Sequence, residues 1–492
     1  MNGLSWQKKA CAVFVLCAAT AVSSPAQTFN TILQFNGDNG SGPYGLTQGG
    51  DGSFYGTTLE GGSACPNGTC GTVFKITAKG TLTQLHRFDG VDGAVPEGPV
   101  QATDGNFYGT TSSGGANDKC FGGYGCGTVF RITPGGALTT LYSFCAQTNC
   151  VDGWEPSEGL VQARNGNFYG ITAVGGTINR GTVFKITPEG ALTTLHSFDG
   201  THGGDPTGAL IQANDGNLYG TTQSGGRVTC SDPAECGTVF RITPGGVLTT
   251  LYGFCALTNC VDGAGPLAPL VQATDGNFYG TTFLGGANET CRFGDLGCGT
   301  IFRITSGGVL TTLYSFCAQT NCVDGSGPRV LVQATDGNFY GTTDFGGTTD
   351  SGTVFQITPE GTLTTLHSFC QPGCTDGAYP GTLMQATDGN FYGTTGGGGT
   401  TGSGTVFSLS VGLAPFVKTL PAAGKAGTGV GILGTALTGA TSVTFNGIPA
   451  QFSVRLPTLI LTHVPSGATT GTVTVTTPSG TLKSNVPFHV IQ

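Results

Sequence analysis

Charge is scarce in this chain. Only 10% of its 492 residues are Asp, Glu, Lys or Arg, and the balance is −9. That shortage of cations argues against nucleic acid or an anionic membrane as partner. Long apolar runs are also missing: beyond residues 10–22 no stretch is apolar enough to cross a bilayer, so no membrane insertion is expected. Histidine is sparse, and three of the six share one repeat position: His86, His196 and His367 stand where other copies carry Tyr142, Tyr252 and Tyr314. A site that accepts either ring is an aromatic packing position, not a general base. No G-x-S-x-G, H-E-x-x-H or phosphate-binding glycine loop with lysine occurs, so no catalytic residue is assigned.

What is abundant is glycine, 88 residues, together with 30 Phe and 13 Tyr. The glycines sit at fixed places between apolar runs, as turns do. The phrase "DGNFYGTT" recurs, lightly edited, seven times, with its Asp or Asn at Asp51, Asp104, Asn165, Asp215, Asp275, Asp336 and Asp388. Spacings run from 50 to 61 residues. Each unit carries four short β-type runs, as in "GALIQA", "NLYGTT", "GTVFRIT" and "VLTTLYGF". Four strands in about 50 residues is the measure of a propeller blade. The Asp-Gly pair reads as a two-residue hairpin turn with positive φ at both positions. The "PGG" and "PEG" turns read as three-residue loops with glycine in the left-handed position. A repeated Lys or Arg inside "GTVFKIT" reads as an exposed strand position with a snorkelling stem.

Six copies continue into a fourth strand such as "LTTLHSF". The seventh stops at "GTVFSLS" (404–410), and the matching strand, "FNTILQF" (29–35), precedes the first copy. Complementary ends predict a ring: an all-β, seven-bladed β-propeller closed by an N-terminal strand, over residues 27–410. Residues 1–26 read as a secretory signal peptide, with Lys8 and Lys9, a short apolar stretch, and small residues at Ser24 and Ala26.

Of 18 cysteines, Cys11 and Cys17 lie in that leader. The rest form eight local couples: Cys65/Cys70, Cys120/Cys126, Cys145/Cys150, Cys230/Cys236, Cys255/Cys260, Cys291/Cys298, Cys317/Cys322 and Cys370/Cys374. Copies that lack one member lack both, as disulfides in a secreted protein would. Zinc is the rival reading, disfavoured by variable spacers and by the absence of a recurring histidine.

Every couple lies in one of two connections, and in an up-and-down blade those two emerge on the same face. That face also collects the non-repeating charges, among them Glu155, Glu158, Asp205, Arg227, Glu235, Arg329 and Asp344, and Trp154. Binding is therefore expected there. The loops into successive blades place Asp92, Asp152, Asp262, Asp324 and Asp376 at like positions. Together with Trp154 and Glu155 these are the candidate ligand-binding residues. The same aspartates could hold a structural Ca²⁺, but turn chemistry is the simpler account, and no cofactor is expected. Should the face catalyse carbohydrate cleavage instead, Glu155, Glu158, Asp205 and Asp232 are the acids to test.

Residues 411–492 lack cysteine and hold six or so short strands with a hairpin signal at Asn446-Gly447, which suggests an immunoglobulin-like β-sandwich. Two resemblances follow. "DGNFYGTT…GTVFKITPEGALTTLHSF" resembles the GloVer tandem repeat of bacterial choice-of-anchor surface proteins. "GTALTGATSVTFNGIPAQFSV" resembles an IPT/TIG domain. The resemblance implies secretion or surface display and carries over no catalytic residue. The family's sorting signal is not matched by the ending "NVPFHVIQ", which implies release or attachment through the tail domain. The expectation is a secreted or cell-surface monomer, a non-enzymatic binding or scaffold protein for extracellular glycans or proteins. A secreted carbohydrate-active enzyme is the alternative.

Overall fold

A computed structural model describes residues 27–62, 70–120, 123–226, 236–292 and 294–491. Residues 1–26, read above as a signal peptide, and Cys65, Cys230, Arg227, Asp232 and Glu235 lie outside them.

The repeats form seven antiparallel sheets in chain order. Sheet one runs Ser41–Gln48, Phe54–Glu60, Thr72–Ile76, Leu82–Arg87, and the pattern recurs. In the third strand, Thr72, Val73, Phe74 and Ile76 are buried and Lys75 is half-exposed. The Lys75 ammonium lies 2.6 Å from Asp51 and over the Tyr55 ring, so the repeated cation braces the turn of its own sheet.

The recurring "NFYG" decides how sheets stack. The second-strand Tyr of one sheet lies on the second-strand Phe of the next: Tyr55 on Phe107 at 4.0 Å, Tyr108 on Phe168, Tyr219 on Phe278, Tyr279 on Phe339, Tyr340 on Phe391. Tyr392 of sheet seven lies 4.2 Å from Phe54 of sheet one, so the contacts pass from the last sheet back to the first. The glycine after each Tyr is required by space. A Cβ on Gly56 or Gly170 would stand 2.6 or 2.5 Å from the ring of Phe74 or Phe184.

Thr28–Gln34 pairs antiparallel with Thr405–Ser410, in the order Thr28–Gln34, Thr405–Ser410, Phe391–Gly397, Ala378–Gln385. The N-terminal strand thus supplies the fourth strand of sheet seven, as the sequence predicts. Phe29 stacks on His367 at 3.8 Å, and Phe35 is fully buried against Phe54, Phe74 and Tyr392.

The Asp-Gly turn differs from expectation. Only the glycine has positive φ, 85° at Gly105. The Gly105 N–H donates to Ala102 O and the Ala102 N–H to Asn106 O, a three-residue loop like the Pro-Gly-Gly turns. The Asp stays in ordinary backbone space because its side chain has other work. Asp104 accepts from the Asn106 N–H and the Tyr108 hydroxyl, at 3.0 and 2.9 Å.

The six cysteine couples that fall wholly within the described residues are all disulfides: Cys120–Cys126, Cys145–Cys150, Cys255–Cys260, Cys291–Cys298, Cys317–Cys322 and Cys370–Cys374. Cys70 and Cys236 are disulfide-bonded too.

After the repeats come two four-stranded sheets. One orders Lys418–Leu420, Gly429–Leu433, Leu459–His463, Phe452–Leu456; the other Ile448–Pro449, Ser442–Phe445, Val473–Thr477, Gly480–Lys483. Val430, Ile432, Phe445, Ile460, Val473 and Val475 form their common core. Asn446 and Gly447 both have positive φ, as the hairpin signal requires. This tail unit sits on the tight-turn face of the repeats. Thr458 Oγ1 donates to Gly50 O and the Phe416 N–H to Thr387 O, both in turns between first and second strands. No helix among the described residues is long and apolar enough to cross a membrane.

Candidate functional site

Where the chain enters each sheet, a residue followed by proline has positive φ in all seven repeats: Gly42, Val95, Glu155, Asp205, Gly265, Gly327 and Tyr379, between 51° and 62°. A branched or bulky residue seldom adopts this conformation, and each costs about 1–3 kcal/mol. An inter-sheet bond holds it. The N–H of Val95 donates to Cys70 O, that of Glu155 to Cys126 O, that of Tyr379 to Ser351 O, and that of Gly42 to Ser403 O. Every sheet is thereby hooked to its predecessor, sheet one to sheet seven included. The turned backbone then leaves the ladder, with register shifts between Tyr44 and Leu46, Ser157 and Val161, and Pro328 and Leu331.

Residues after the proline consequently point inward. They line a cavity of about 520 Å³ bordered by sheets one, two, three, five, six and seven. Its walls come from the starts of first strands and from the ends of second strands (Leu59, Asp344, Gly396), so it opens toward the cross-linked loops. Pro43, Pro99, Leu160, Leu267 and Pro269 make much of the wall apolar, and Tyr44, Glu158, Arg329 and Asp344 supply the polar groups. Glu97 immediately precedes the wall residues Gly98 and Pro99. A mostly apolar concavity with few convergent polar groups is the usual form of a ligand site.

The Tyr44 hydroxyl donates to Glu158 Oε1 at 2.5 Å. Arg329 donates to Asp344 Oδ2 from Nε at 2.8 Å and reaches the same oxygen through Nη2 at 2.7 Å. Its guanidinium lies over the Phe283 ring, 5.1 Å from the centroid. Burial pushes the Glu158 carboxyl up to about 7, against the lowering pull of Tyr44 and Arg329. Burial, and then the charges of Glu158 and Glu155, hold Glu97 well above the ordinary carboxyl range. Burial raises Glu155 as well. Glu97, Glu158 and Arg329 are half-buried, each keeping part of its surface. Burial raises the carboxyls, and their remaining exposure limits the effect.

The sequence candidates separate into two groups. Asp152, Asp262 and Asp324 are buried, and each accepts from a fourth-strand tyrosine and two backbone N–H groups. For Asp324 these are Tyr314 at 2.8 Å, Ala318 at 2.9 Å and Gln319 at 3.3 Å. Asp92 and Asp376 pair with His86 and His367 at 2.6 and 2.9 Å. These five carboxylates close their own loops. His196 shows what their absence leaves: its loop has His202 in the place of the acid, its Nε2 is buried without a partner, and burial lowers its pKa. Asp324→Ala should therefore destabilise by about 2–3 kcal/mol by stranding two N–H groups, and Asp324→Asn by less, read from urea unfolding midpoints.

Trp154 and Glu155 instead stand at the start of the sheet-three first strand, half-buried and exposed respectively, with the Trp154 indole N–H on Asn179. Asp205 bonds Ser224 and pairs with Arg180. Tyr44 and Glu97 are not among the sequence candidates. A signal exists: in repeats that are otherwise near-copies, the residues just after the loop proline read Tyr-Gly, Glu-Gly, Ser-Glu, Thr-Gly, Leu-Ala, Arg-Val and Gly-Thr. Variation at this strand position, between a recurring loop proline and the near-constant run before the Asp-Gly turn, marks it.

The Gloeobacter/Verrucomicrobia repeat pattern matches residues 18–121, 119–319 and 290–433, most of the chain. The protein belongs to the Gloeobacter/Verrucomicrobia repeat family. No curated protein matches it. Among solved structures, a catalytically inactive variant of virginiamycin B lyase from Staphylococcus aureus with quinupristin is similar over 78% of this chain and 99% of that one, with 16% identity and a TM-score of 0.52. A fungal alcohol oxidase of the AA5 family, in complex with copper, is similar over 94% of this chain and 99% of that one, with 12% identity and a TM-score of 0.54. At these identities the likeness speaks to fold: this repeat protein is all-β and β-propeller-like.

Proposed function

We propose that this family member is a secreted binding or scaffold protein, a seven-bladed propeller closed by its N-terminal strand and followed by an immunoglobulin-like IPT/TIG domain. It recognises extracellular glycans or surface proteins through its cross-linked loop face. One observation carries the reading. The tail unit occupies the turn face, and the cavity with its polar groups opens on the opposite one. Eight cysteine couples in the sequence and the family's surface character support an oxidising, extracellular setting. The second reading, a carbohydrate-active enzyme, draws on Glu158: a carboxyl that stays partly protonated near neutrality can serve as a general acid.

A glycan array probed with the mature protein, followed by a reducing-sugar assay on every hit, tests both. Binding without turnover is the expected result. Turnover abolished by Glu158→Gln would establish the enzyme instead. Binding retained when the loops of sheets two to five are replaced by the short loop of sheet seven would refute the loop-face assignment.

A further inference from the structure

We infer that the cavity is a binding site for a small organic cation, a molecule bearing a primary ammonium group, held by the carboxyls of sheets two and three. The inference rests on the loop face being the working face, and not on the ligand being a sugar. Charge is the first argument. The one cation that borders the cavity among the described residues, Arg329, is already bound through Nε and Nη2 to Asp344. Glu158 has only a neutral phenol as partner. Among the described residues the carboxyls of Glu97 and Glu155 have no hydrogen-bond partner, and Glu97 is half-buried beside the cavity wall. Glu158 thus lines the concavity, Glu97 sits directly before its wall residues Gly98 and Pro99, and Glu155, exposed at the start of its strand, is close enough to act on Glu97; none of the three forms an ion pair among the described residues.

Spacing decides between an inorganic and an organic cation. A divalent ion gathers its oxygens at about 2–2.6 Å, which brings them within a few ångströms of one another. Among the described residues, the only groups of three potential ligand atoms within 4.8 Å are cysteines of the disulfide-linked loops. The three glutamates are too far apart to share one ion. An ammonium with three donors on an apolar stem suits wider spacing. Pro43, Leu59, Pro99 and Leu160 give the stem its wall, and about 520 Å³ accommodates it.

Titration calorimetry on the mature protein tests this with matched probes: cadaverine against neutral pentane-1,5-diol, and n-butylamine against butan-1-ol. At pH 7.5 the amine of a pair should bind at least tenfold tighter than its neutral counterpart. Glu97→Gln and Glu158→Gln should each weaken the amine tenfold or more, and Arg329→Met, which frees the Asp344 charge, should tighten it. Affinity should rise from pH 5 to pH 8 as the acids ionise. The groups around Glu158 in that titration are Tyr44 of sheet one, Glu97 of sheet two, Tyr379 of sheet seven, and Arg329 with Asp344 of sheet six; Glu155 of sheet three acts on Glu97. Melting curves and Trp154 fluorescence establish that each variant is folded. Equal affinity for amine and neutral twin overturns the inference, as do unchanged affinity in both Gln variants or displacement of cadaverine by stoichiometric Ca²⁺. Neutral glycans that bind the loop face with the Gln variants unaffected would sink the cation while leaving the binding function standing. No binding by any probe or array glycan would sink both.

Discussion

A protein lacking residues 27–36 should not reach the native state of the repeats at 25 °C, and a synthetic peptide of that segment should restore it. The segment is the fourth strand of sheet seven, paired with Thr405–Ser410 along its length. Without it, that strand loses its partner and becomes an open edge. The rings of Phe54, Phe74 and Tyr392 lose Phe35, and those of His367 and Phe407 lose Phe29. One buried Phe is worth about 3–5 kcal/mol on truncation, and whole domains are stable by about 5–15 kcal/mol. Losing the strand, both rings and the contact between the first and last sheets therefore consumes the margin. Near-ultraviolet circular dichroism and light scattering of the truncated chain, with and without equimolar peptide, give the readout. A truncated protein that melts within a few degrees of the full one would overturn the closure argument.

Glu158→Gln should stabilise the protein at pH 8 and leave it unchanged at pH 4. The folded-state pKa of Glu158, about 7, lies above the ordinary value of 4.5. Below pH 4.5 the group is protonated in both states and contributes nothing. Between 4.5 and 7 only the unfolded chain ionises, so stability falls as pH rises, and above 7 the loss is complete. A shift of that size corresponds to about 3 kcal/mol, and the partial exposure of the side chain lowers the expected effect to about 1–2 kcal/mol. The amide still accepts from Tyr44, so the variant sheds the penalty and keeps the bond. Glu97, held up in part by the Glu158 charge, ionises more readily in the variant and adds to the gain. Urea midpoints at pH 4, 6 and 8 should diverge in that order. A variant less stable by the same amount at every pH would show that Glu158 has a packing role only. A binding group whose removal stabilises the fold is the expected mark of a site built for a ligand.

Much of the architecture is legible from residues alone because it is local and repeated. Period-two alternation, a glycine at each tight corner and the complementary incompleteness of the two ends specify four-stranded units and their count. Cysteines that come and go in pairs specify their partners, and the six pairs wholly described agree. The turn at Asp104-Gly105 is less legible, because a dipeptide does not reveal how many residues its loop contains. The tyrosine hydroxyl four residues on, which occupies the aspartate, belongs to the neighbouring strand.

The cavity is another matter. Tyr44, Glu158 and Arg329 on its wall, and Glu97 beside it, come from four different repeats, and no local pattern links them. They meet because a positive-φ residue before proline, hooked to the preceding sheet, turns each first strand out of its ladder toward the axis. Sequence by itself determined the strands, their grouping and the strand borrowed from the amino terminus, since those depend on neighbours along the chain and on near-identical copies. Only the tertiary structure decided which acids face one another, how far burial raises them, and which face the tail unit covers. Those depend on distances through space and on the water excluded when distant segments converge.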